Sequence, residues 1–141
     1  MRQRMRHQAT WLLARAHLRA HSIVQQEFAA AGSKPYTYRL LAALEAYGAT
    51  SQADLGRRTD IDRSDVVAVL NDLVDRTFAL RQPDPGDGRR NIVLITDQGR
   101  KELSRLDRVV TGIQSQVLAP LSQSERATLV ALLTKLSPDD S

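Results

Sequence analysis

The sequence lacks cysteine altogether, so the 141-residue chain cannot form disulfides, thiolate metal sites or thiol redox sensors. Aromatic residues make up only 4% of it, and no apolar run reaches the length of a membrane-spanning helix. The first residues are basic, as in a signal peptide, but Arg15, His17 and Arg19 interrupt the apolar stretch that follows. We therefore expect a cytoplasmic protein with no membrane partner.

Motifs of common enzyme classes are also missing. The sequence has no P-loop, no His-Glu-x-x-His and no Gly-x-Ser-x-Gly, and its Gly86-Asp87-Gly88 turn lacks the strand-to-helix setting of a phosphate loop. His17 and His21 have the i, i+4 spacing of a zinc pair, but the nearest carboxylate in sequence, Glu27, is not an obvious third ligand. We expect no enzymatic activity, no cofactor and no metal site.

What is present is the composition of a folded domain, 42% hydrophobic and 26% charged. The net charge of +4 favours a polyanionic partner. Its surplus lies in residues 1–50, with seven Lys or Arg against two Asp or Glu, whereas residues 51–100 hold eight against nine. Net charge therefore does not locate a nucleic-acid site, and the order of the predicted elements must do so.

Helical patterns occupy both ends of the sequence. A long helix is predicted to end near Ala31, before Gly32, and a second runs over 37–47. Apolar residues at alternating steps of three and four predict another long helix from Thr96 or Asp97 to Pro120, and a last helix begins at Ser122 or Ser124. Residues 138–141 are expected to form a loose tail.

The middle of the chain has the pattern of two short helices followed by a hairpin. Ser51 and Asp54 have capping-box spacing and open a short helix, and after a brief turn a second helix covers 62–76. Such a pair is typical of a helix-turn-helix. Strand candidates at 78–81 and 91–96, separated by a turn-rich segment, then predict a wing.

The predicted fold is therefore α+β, mainly α: a winged helix-turn-helix with an N- and C-terminal helical dimerisation region. We assign 1–34 to a dimerisation helix and loop, 35–99 to the winged helix-turn-helix and 100–141 to C-terminal dimerisation helices and tail, in one compact chain. A homodimer is expected because two apolar rows near the C-terminus need a partner. The first row is a heptad seam formed by Leu103, Leu106, Val110, Ile113 and Val117. The second row is a leucine stripe formed by Leu129, Leu132, Leu133 and Leu136.

The helix over 62–76 is the candidate recognition helix, because its amino end is polar and one face is apolar. We expect Asn71 to contact an adenine edge, Arg63 a guanine or a phosphate, and Asp87 to brace Arg89 in an ion pair at the tip of the wing. The full set of candidate DNA contacts combines a helix N-terminus, the recognition helix and the wing: Ser51, Gln52, Arg63, Ser64, Asp65, Val67, Ala68, Asn71, Arg81, Arg89 and Arg90.

The segment 84–99 carries a family resemblance. It runs Asp-Pro-Gly-Asp-Gly-Arg-Arg-Asn-Ile-Val-Leu-Ile-Thr-Asp-Gln-Gly. This is similar to the wing signature of the MarR family (multiple antibiotic resistance regulators), Asp-Pro-x-Asp-x-Arg, a hydrophobic strand, Leu-Thr, two residues and Gly, with Ile95 in place of the Leu. With the order of the predicted helices, the resemblance covers about residues 10–137.

The resemblance implies a transcriptional regulator, expected to be a repressor, that binds pseudo-palindromic double-stranded DNA as a homodimer. Winged helices also serve protein–protein contacts, so an interaction module without specific DNA binding is the alternative. The family further implies a pocket for a small aromatic or anionic effector that lowers DNA affinity. Candidates for that pocket are Trp11, His17, His21, Tyr36 and Tyr38; the alternative for the Trp and Tyr side chains is core or interface packing.

Three residues depart from the family pattern. Thr77 stands where Gly commonly follows the recognition helix, Ala68 where a basic residue is common, and Gly88 where Arg is common. Ala68 and Gly88 each remove an expected contact, and Thr77 lacks the ease with which Gly adopts a left-handed conformation. We expect modest DNA affinity or an unusual operator preference.

Overall fold

The computed structural model describes residues 1–138, so the predicted tail beyond Pro138 lies outside the described residues. The chain divides into two compact units. One is Val24–Val110, and the other combines Met1–Ile23 with the chain from Thr111 onward. Within the described range, no helix has the length and apolarity required to cross a bilayer.

The element order confirms a mainly helical winged helix-turn-helix. The helices are α1 (Arg2–Met5), α2 (Ala9–Ala30), α3 (Pro35–Tyr47), α4 (Gln52–Thr59), α5 (Arg63–Asp75), α6 (Asp97–Val117) and α7 (Gln123–Leu136). The strands are β1 (Thr50–Ser51), β2 (Ala79–Asp84) and β3 (Asp87–Ile95).

Leucines from four helices form the core of the unit Val24–Val110. Leu44 of α3, Leu55 of α4, Leu70 of α5 and Leu106 of α6 have no exposed surface. Helices α3, α4 and α5 contact one another pairwise. Each buried leucine contributes about 1.5–3 kcal/mol, so the apolar rows that predicted these helices also fix the recognition helix α5 on its scaffold.

Side-chain caps start three helices where the sequence predicted them. Ser51 Oγ accepts the Asp54 backbone N–H at 3.2 Å and opens α4. Thr96 Oγ1 accepts the Gly99 N–H at 3.0 Å and opens α6. Ser122 and Glu125 form a reciprocal capping box at α7. Each cap satisfies an amide that the helix itself leaves without a partner.

The antiparallel sheet has the order β1-β3-β2 and differs from the prediction in extent. Strand β2 continues through Pro83 to Asp84 and β3 begins at Asp87, so the turn is shorter than the predicted 83–88 segment. Pro83 fits because a bulge interrupts the ladder beside it. Strand β1, which pairs Ser51 with Ile92, was not predicted, since two residues carry no periodic signal.

Thr77 ends the recognition helix in the left-handed conformation, with φ of +66°. The Phe78 N–H donates to the Leu73 carbonyl at 2.8 Å and the Thr77 N–H to the Val74 carbonyl at 3.0 Å, which is a Schellman motif. The chain therefore keeps the geometry that Gly normally supplies at this position. The Thr96 hydroxyl, which donates to the Thr77 carbonyl at 2.6 Å, helps to hold it there.

Gly99 in the first turn of α6 is required by a close approach of the backbone. A Cβ at this position would overlap the Phe78 carbonyl oxygen. The same oxygen accepts the Thr96 N–H at 3.1 Å, so the segment after α5 lies directly against the start of α6. This contact gives a steric reason for the glycine of the 84–99 signature.

The two apolar rows near the C-terminus behave differently. Leu103, Leu106 and Ile113 of α6 are already buried within one chain, so the expectation that they lack a partner was wrong, whereas Val110 and Val117 of the same seam are only partly buried. Helix α7 has no buried residue, although all of it is described, and Leu132 and Leu136 are 52% and 68% exposed. Of these two rows, the α7 stripe is therefore the one that remains exposed.

Candidate nucleic-acid interface

Helix α5 presents a polar face opposite its buried one. Val66, Leu70 and Leu73 are buried. On the other side Ser64 and Asn71 are exposed. Of the other predicted contacts on this helix, Arg63, Asp65 and Ala68 are exposed and Val67 is partly buried.

The amino end of α5 is organised by Asp62, its N-cap residue. The Ser64 hydroxyl donates to Asp62 Oδ2 at 2.6 Å. This hydrogen bond is the main cause of a lowered Asp62 pKa, and the carboxylate is therefore ionised at neutral pH. The sequence did not predict that these two side chains bind each other.

The carboxyl half of α5 is joined to the wing. Arg81 of β2 donates from Nη2 to Asn71 Oδ1 at 2.7 Å. Both residues were predicted to contact DNA separately, and the structure brings them together. The pairing was missed because it joins a helix to a strand ten residues away, and no local spacing signals it.

An ion-pair network supports the end of α5. Arg105 binds the buried Glu102 through Nε at 2.5 Å and Nη2 at 3.0 Å, and its Nη2 also donates to the Ala31 carbonyl at 3.0 Å. Arg76 follows the last residue of α5. Its Nη2 lies 3.8 Å from Glu102 Oε2, and its Nη1 lies 3.7 Å from Asp72 Oδ2. Asp72 therefore pairs with Arg76, and the positive charge of Arg76 offsets one of the acidic charges on α5.

The wing carries its two arginines on opposite faces. Arg89 and Arg90 are exposed and consecutive in β3, so their side chains leave the strand on opposite sides. Arg90 contributes to the lowered pKa of Asp54, whose larger causes are hydrogen bonds from Ser51 and Arg57. The Arg90 charge therefore acts on Asp54 of α4, and Arg89 leaves the strand on the other face.

Asp87 does brace the wing, but not through the predicted ion pair. Its Oδ1 accepts the backbone N–H of Arg89 at 3.1 Å, and no ion pair joins the two side chains within the described chain. Asp84 acts in the same way on the Gly86 N–H at 2.9 Å. In tight turns, an Asp carboxylate commonly accepts the backbone N–H of the residue two positions later. The Arg89 guanidinium is therefore left to other partners.

The start of α4 differs from the prediction for Ser51. Ser51 is only 6% exposed, and its hydroxyl is used as the cap of α4. Its side chain is therefore not presented to a phosphate, contrary to expectation. Gln52, the first residue of α4, is partly exposed.

An open cleft of about 630 Å³ separates α4 from the start of α5. Two arginines, Arg57 and Arg63, and two aspartates, Asp60 and Asp62, contribute to its lining together with Gln52. The charge of this surface is balanced. The lining of this cleft is therefore not a basic patch of the kind that attracts phosphates by net charge.

The five effector candidates have local partners. In the unit containing residues 1–23, the Arg15 guanidinium lies 4.9 Å from the Trp11 ring centre, and the rings of His17 and His21 stack at 5.6 Å. Within Val24–Val110, Arg39 lies 5.4 Å from the ring of Tyr36.

Tyr38 has the strongest interaction of the five. Its hydroxyl donates to Asp107 Oδ1 at 2.6 Å, and this bond is the main cause that raises the Tyr38 pKa to about 12. No cluster of three or more His, Asp or Glu suited to a metal ion occurs in the described residues.

Comparison with known proteins gives a consistent picture. A model of the MarR family matches residues 33–90. A putative transcriptional regulatory protein for the hcr operon of Thauera aromatica is 34% identical over 110 residues, which is 78% of this chain and 66% of that protein. The HTH-type transcriptional repressor NicR of Pseudomonas putida is 30% identical over 129 residues, covering 92% of this chain and 82% of NicR.

A solved structure extends the match to the fold. The structure of Bordetella bronchiseptica BpsR superposes on this chain with a TM-score of 0.80 at 30% identity. The DNA binding of BpsR is regulated by 6-hydroxynicotinic acid. The match covers 94% of this chain and 95% of that one.

Proposed function

Because the chain belongs to the MarR family of DNA-binding transcriptional regulators, we propose that α5 enters the major groove of duplex DNA with the β2–β3 wing beside it. The observation that carries this proposal is the polar face of α5, held by a buried leucine core and joined to the wing by the Arg81–Asn71 bond. A recognition helix needs both an exposed polar face and a rigid support.

The proposed contacts follow from exposure and position. Arg63 and Ser64 lie at the entering end of α5, Asn71 lies further along it, and Arg89 extends from the wing. Gln52 at the amino end of α4 is placed for a backbone phosphate. Asp65, Val67, Ala68, Arg81 and Arg90 complete the set.

We propose a homodimer that acts as a repressor on a pseudo-palindromic operator. The exposed apolar stripe of α7 supports the dimer, and the NicR relative is a repressor. We retain residues 1–34 and 100–141 as its dimerisation parts and 35–99 as the DNA-binding part. A dimer places two recognition helices about one helical turn apart on DNA.

We further propose a small aromatic acid as an effector, since the BpsR relative is regulated by 6-hydroxynicotinic acid. The protein would act on cytoplasmic DNA and carry no catalytic role. Titration of a preformed DNA complex with 6-hydroxynicotinic acid and with salicylate tests the effector. Release of DNA at saturating acid supports the proposal. A complex that neither acid changes contradicts the proposal that these two acids are effectors.

The experiment for DNA binding is a fluorescence anisotropy titration of the native protein with the DNA upstream of its own gene and with a random duplex. Specific binding should fall steeply with salt. Arg89→Ala should bind about tenfold more weakly and lower the salt slope by about one. Arg100→Ala, which removes the same charge from an exposed residue paired with Asp97, is the matched control and should bind like the native protein.

Weak binding that is equal on both duplexes and unchanged in Arg89→Ala would contradict the proposed function. That outcome would favour the interaction-module alternative.

A further inference from the structure

Three exposed residues of α5 form a single line along the helix. Ser64, Ala68 and Asn71 follow steps of four and three, which place them on one face, opposite the buried Val66 and Leu70. We call Ser64, Ala68 and Asn71 the α5 stripe. Asp75 continues the line only at the last residue of the helix, away from the entering end.

At the amino end of the stripe, Ser64 is held as a hydrogen-bond acceptor. An ionised carboxylate has no proton to donate, so the 2.6 Å bond to Asp62 must use the Ser64 hydroxyl proton. The lone pairs of Ser64 Oγ are what remain for a ligand. In the major groove, an acceptor pairs with the exocyclic amino groups of cytosine or adenine.

At the other end of the stripe, Asn71 is held as a donor. A guanidinium has only donors, so the amide atom that faces Arg81 at 2.7 Å must be the oxygen, and Nδ2 points away from it. The sequence predicted that Asn71 contacts an adenine edge, and the bidentate form of that contact needs this oxygen as its acceptor. Arg81 occupies it, so Asn71 is suited to an acceptor atom on a base instead.

Ala68 lies between these two polar ends and offers a methyl group. Alanine packs against the C5-methyl group of thymine in the major groove. Seven residues of helix span about 10 Å, which corresponds to about three base-pair steps of B-DNA. The whole α5 stripe therefore fits within one short run of bases.

We propose that the α5 stripe recognises an operator half-site that presents, in the amino-to-carboxyl direction of α5, an amino-bearing base edge, a thymine methyl and an acceptor edge. The amino group comes from cytosine or adenine, and the acceptor is guanine O6 or N7, adenine N7 or thymine O4. Asp62 and Arg81 are the positioning residues that set this polarity. This inference rests on the proposed function, because it requires α5 to enter the groove.

The experiment is an in vitro selection of bound sequences from a randomised duplex pool, carried out with the native protein and with single variants whose folding is verified by circular dichroism. Ser64→Ala should lose about tenfold preference for the amino-bearing base at one position. Asn71→Asp keeps an acceptor for Arg81 but removes the donor, so it should lose a similar preference for the acceptor base about three steps away.

The positioning role of Arg81 has its own signature. Arg81→Ala should weaken the base preference at the Asn71 position, because the amide is then able to turn either way. Loss of a phosphate contact alone would lower affinity equally on all sequences. Glu45→Gln, an exposed change on α3, is the matched control and should leave the selected sequence unchanged.

The outcomes separate the inference from the proposed function. A native protein that enriches no sequence overturns both. A clear selected sequence that is the same in Ser64→Ala and Asn71→Asp overturns the inference and leaves the proposed function intact.

Discussion

Thr77 carries a conformational cost that glycine would avoid. A β-branched residue in the left-handed region costs about 1–2 kcal/mol, and Thr77 has φ of +66°. Thr77→Gly should therefore raise the free energy of unfolding by about 1 kcal/mol, a midpoint shift of roughly 3 °C. Thermal and urea unfolding at one fixed protein concentration measure this change.

Thr77→Ala is the control for that prediction. It keeps the Cβ and its strain but loses the hydroxyl that contacts the Gln98 side chain. It should be less stable than the native protein. A glycine variant no more stable than the alanine variant would contradict the assignment of strain to Thr77.

Tyr38 should ionise unusually late. Its pKa is raised to about 12, mainly by the hydrogen bond to Asp107. A raised pKa in the folded state means that the bond adds stability below pH 10 and loses it as pH rises towards 12. Absorbance titration of the folded protein should show a tyrosinate step above pH 11 that is absent in Tyr38→Phe.

Asp107→Asn is the partner variant. It removes the carboxylate that opposes ionisation of Tyr38, so the tyrosinate step seen above pH 11 should move to lower pH. If the tyrosinate step above pH 11 persists in Tyr38→Phe, it belongs to another tyrosine, and this prediction is contradicted.

The contact between α6 and the end of α5 depends on Glu102. Its side chain is buried, and the Arg105 hydrogen bond is the main cause that lowers its pKa. A lowered carboxyl pKa adds stability above about pH 4.5 that is lost as the pH falls further. Glu102→Gln should cost about 1.5–3 kcal/mol at pH 7.

The pH dependence identifies the cause of that loss. The stability difference between native protein and Glu102→Gln should narrow below about pH 4, measured by urea unfolding across a pH series. Glu45→Gln, an exposed change on α3, should have little effect at any pH. A difference that stays constant down to pH 3 would assign the loss to packing and not to charge.

The exposed stripe of α7 predicts the assembly state. Leu132→Ser combined with Leu136→Ser should give monomers at micromolar concentration by light scattering, with helix content retained. DNA affinity should fall about a hundredfold or more, because two half-sites are no longer bound together. Thr134→Ser keeps the hydroxyl that bonds to the Val130 carbonyl and should remain dimeric. A double variant that stays dimeric would place the interface elsewhere.

Local patterns in the sequence were sufficient for most of the elements. Helix starts at Ser51, Thr96 and Ser122 were predictable because a cap bonds to an amide three residues on, so both partners appear in one short stretch. Helical and alternating periodicities gave the order of elements for the same reason, and that order with the 84–99 segment identified the family.

Pairings between distant residues depended on how the elements pack. The Arg81–Asn71 bond, the Arg105 bond to the Ala31 carbonyl and the short β1–β3 pairing join segments that only the folded core brings together. Thr77 shows the same limit, since its left-handed conformation opposes its own preference and is held by Thr96. Residue types and periods are local properties of a sequence. The direction in which a side chain is held is set by its three-dimensional neighbours, and that direction determines which bases α5 is suited to bind.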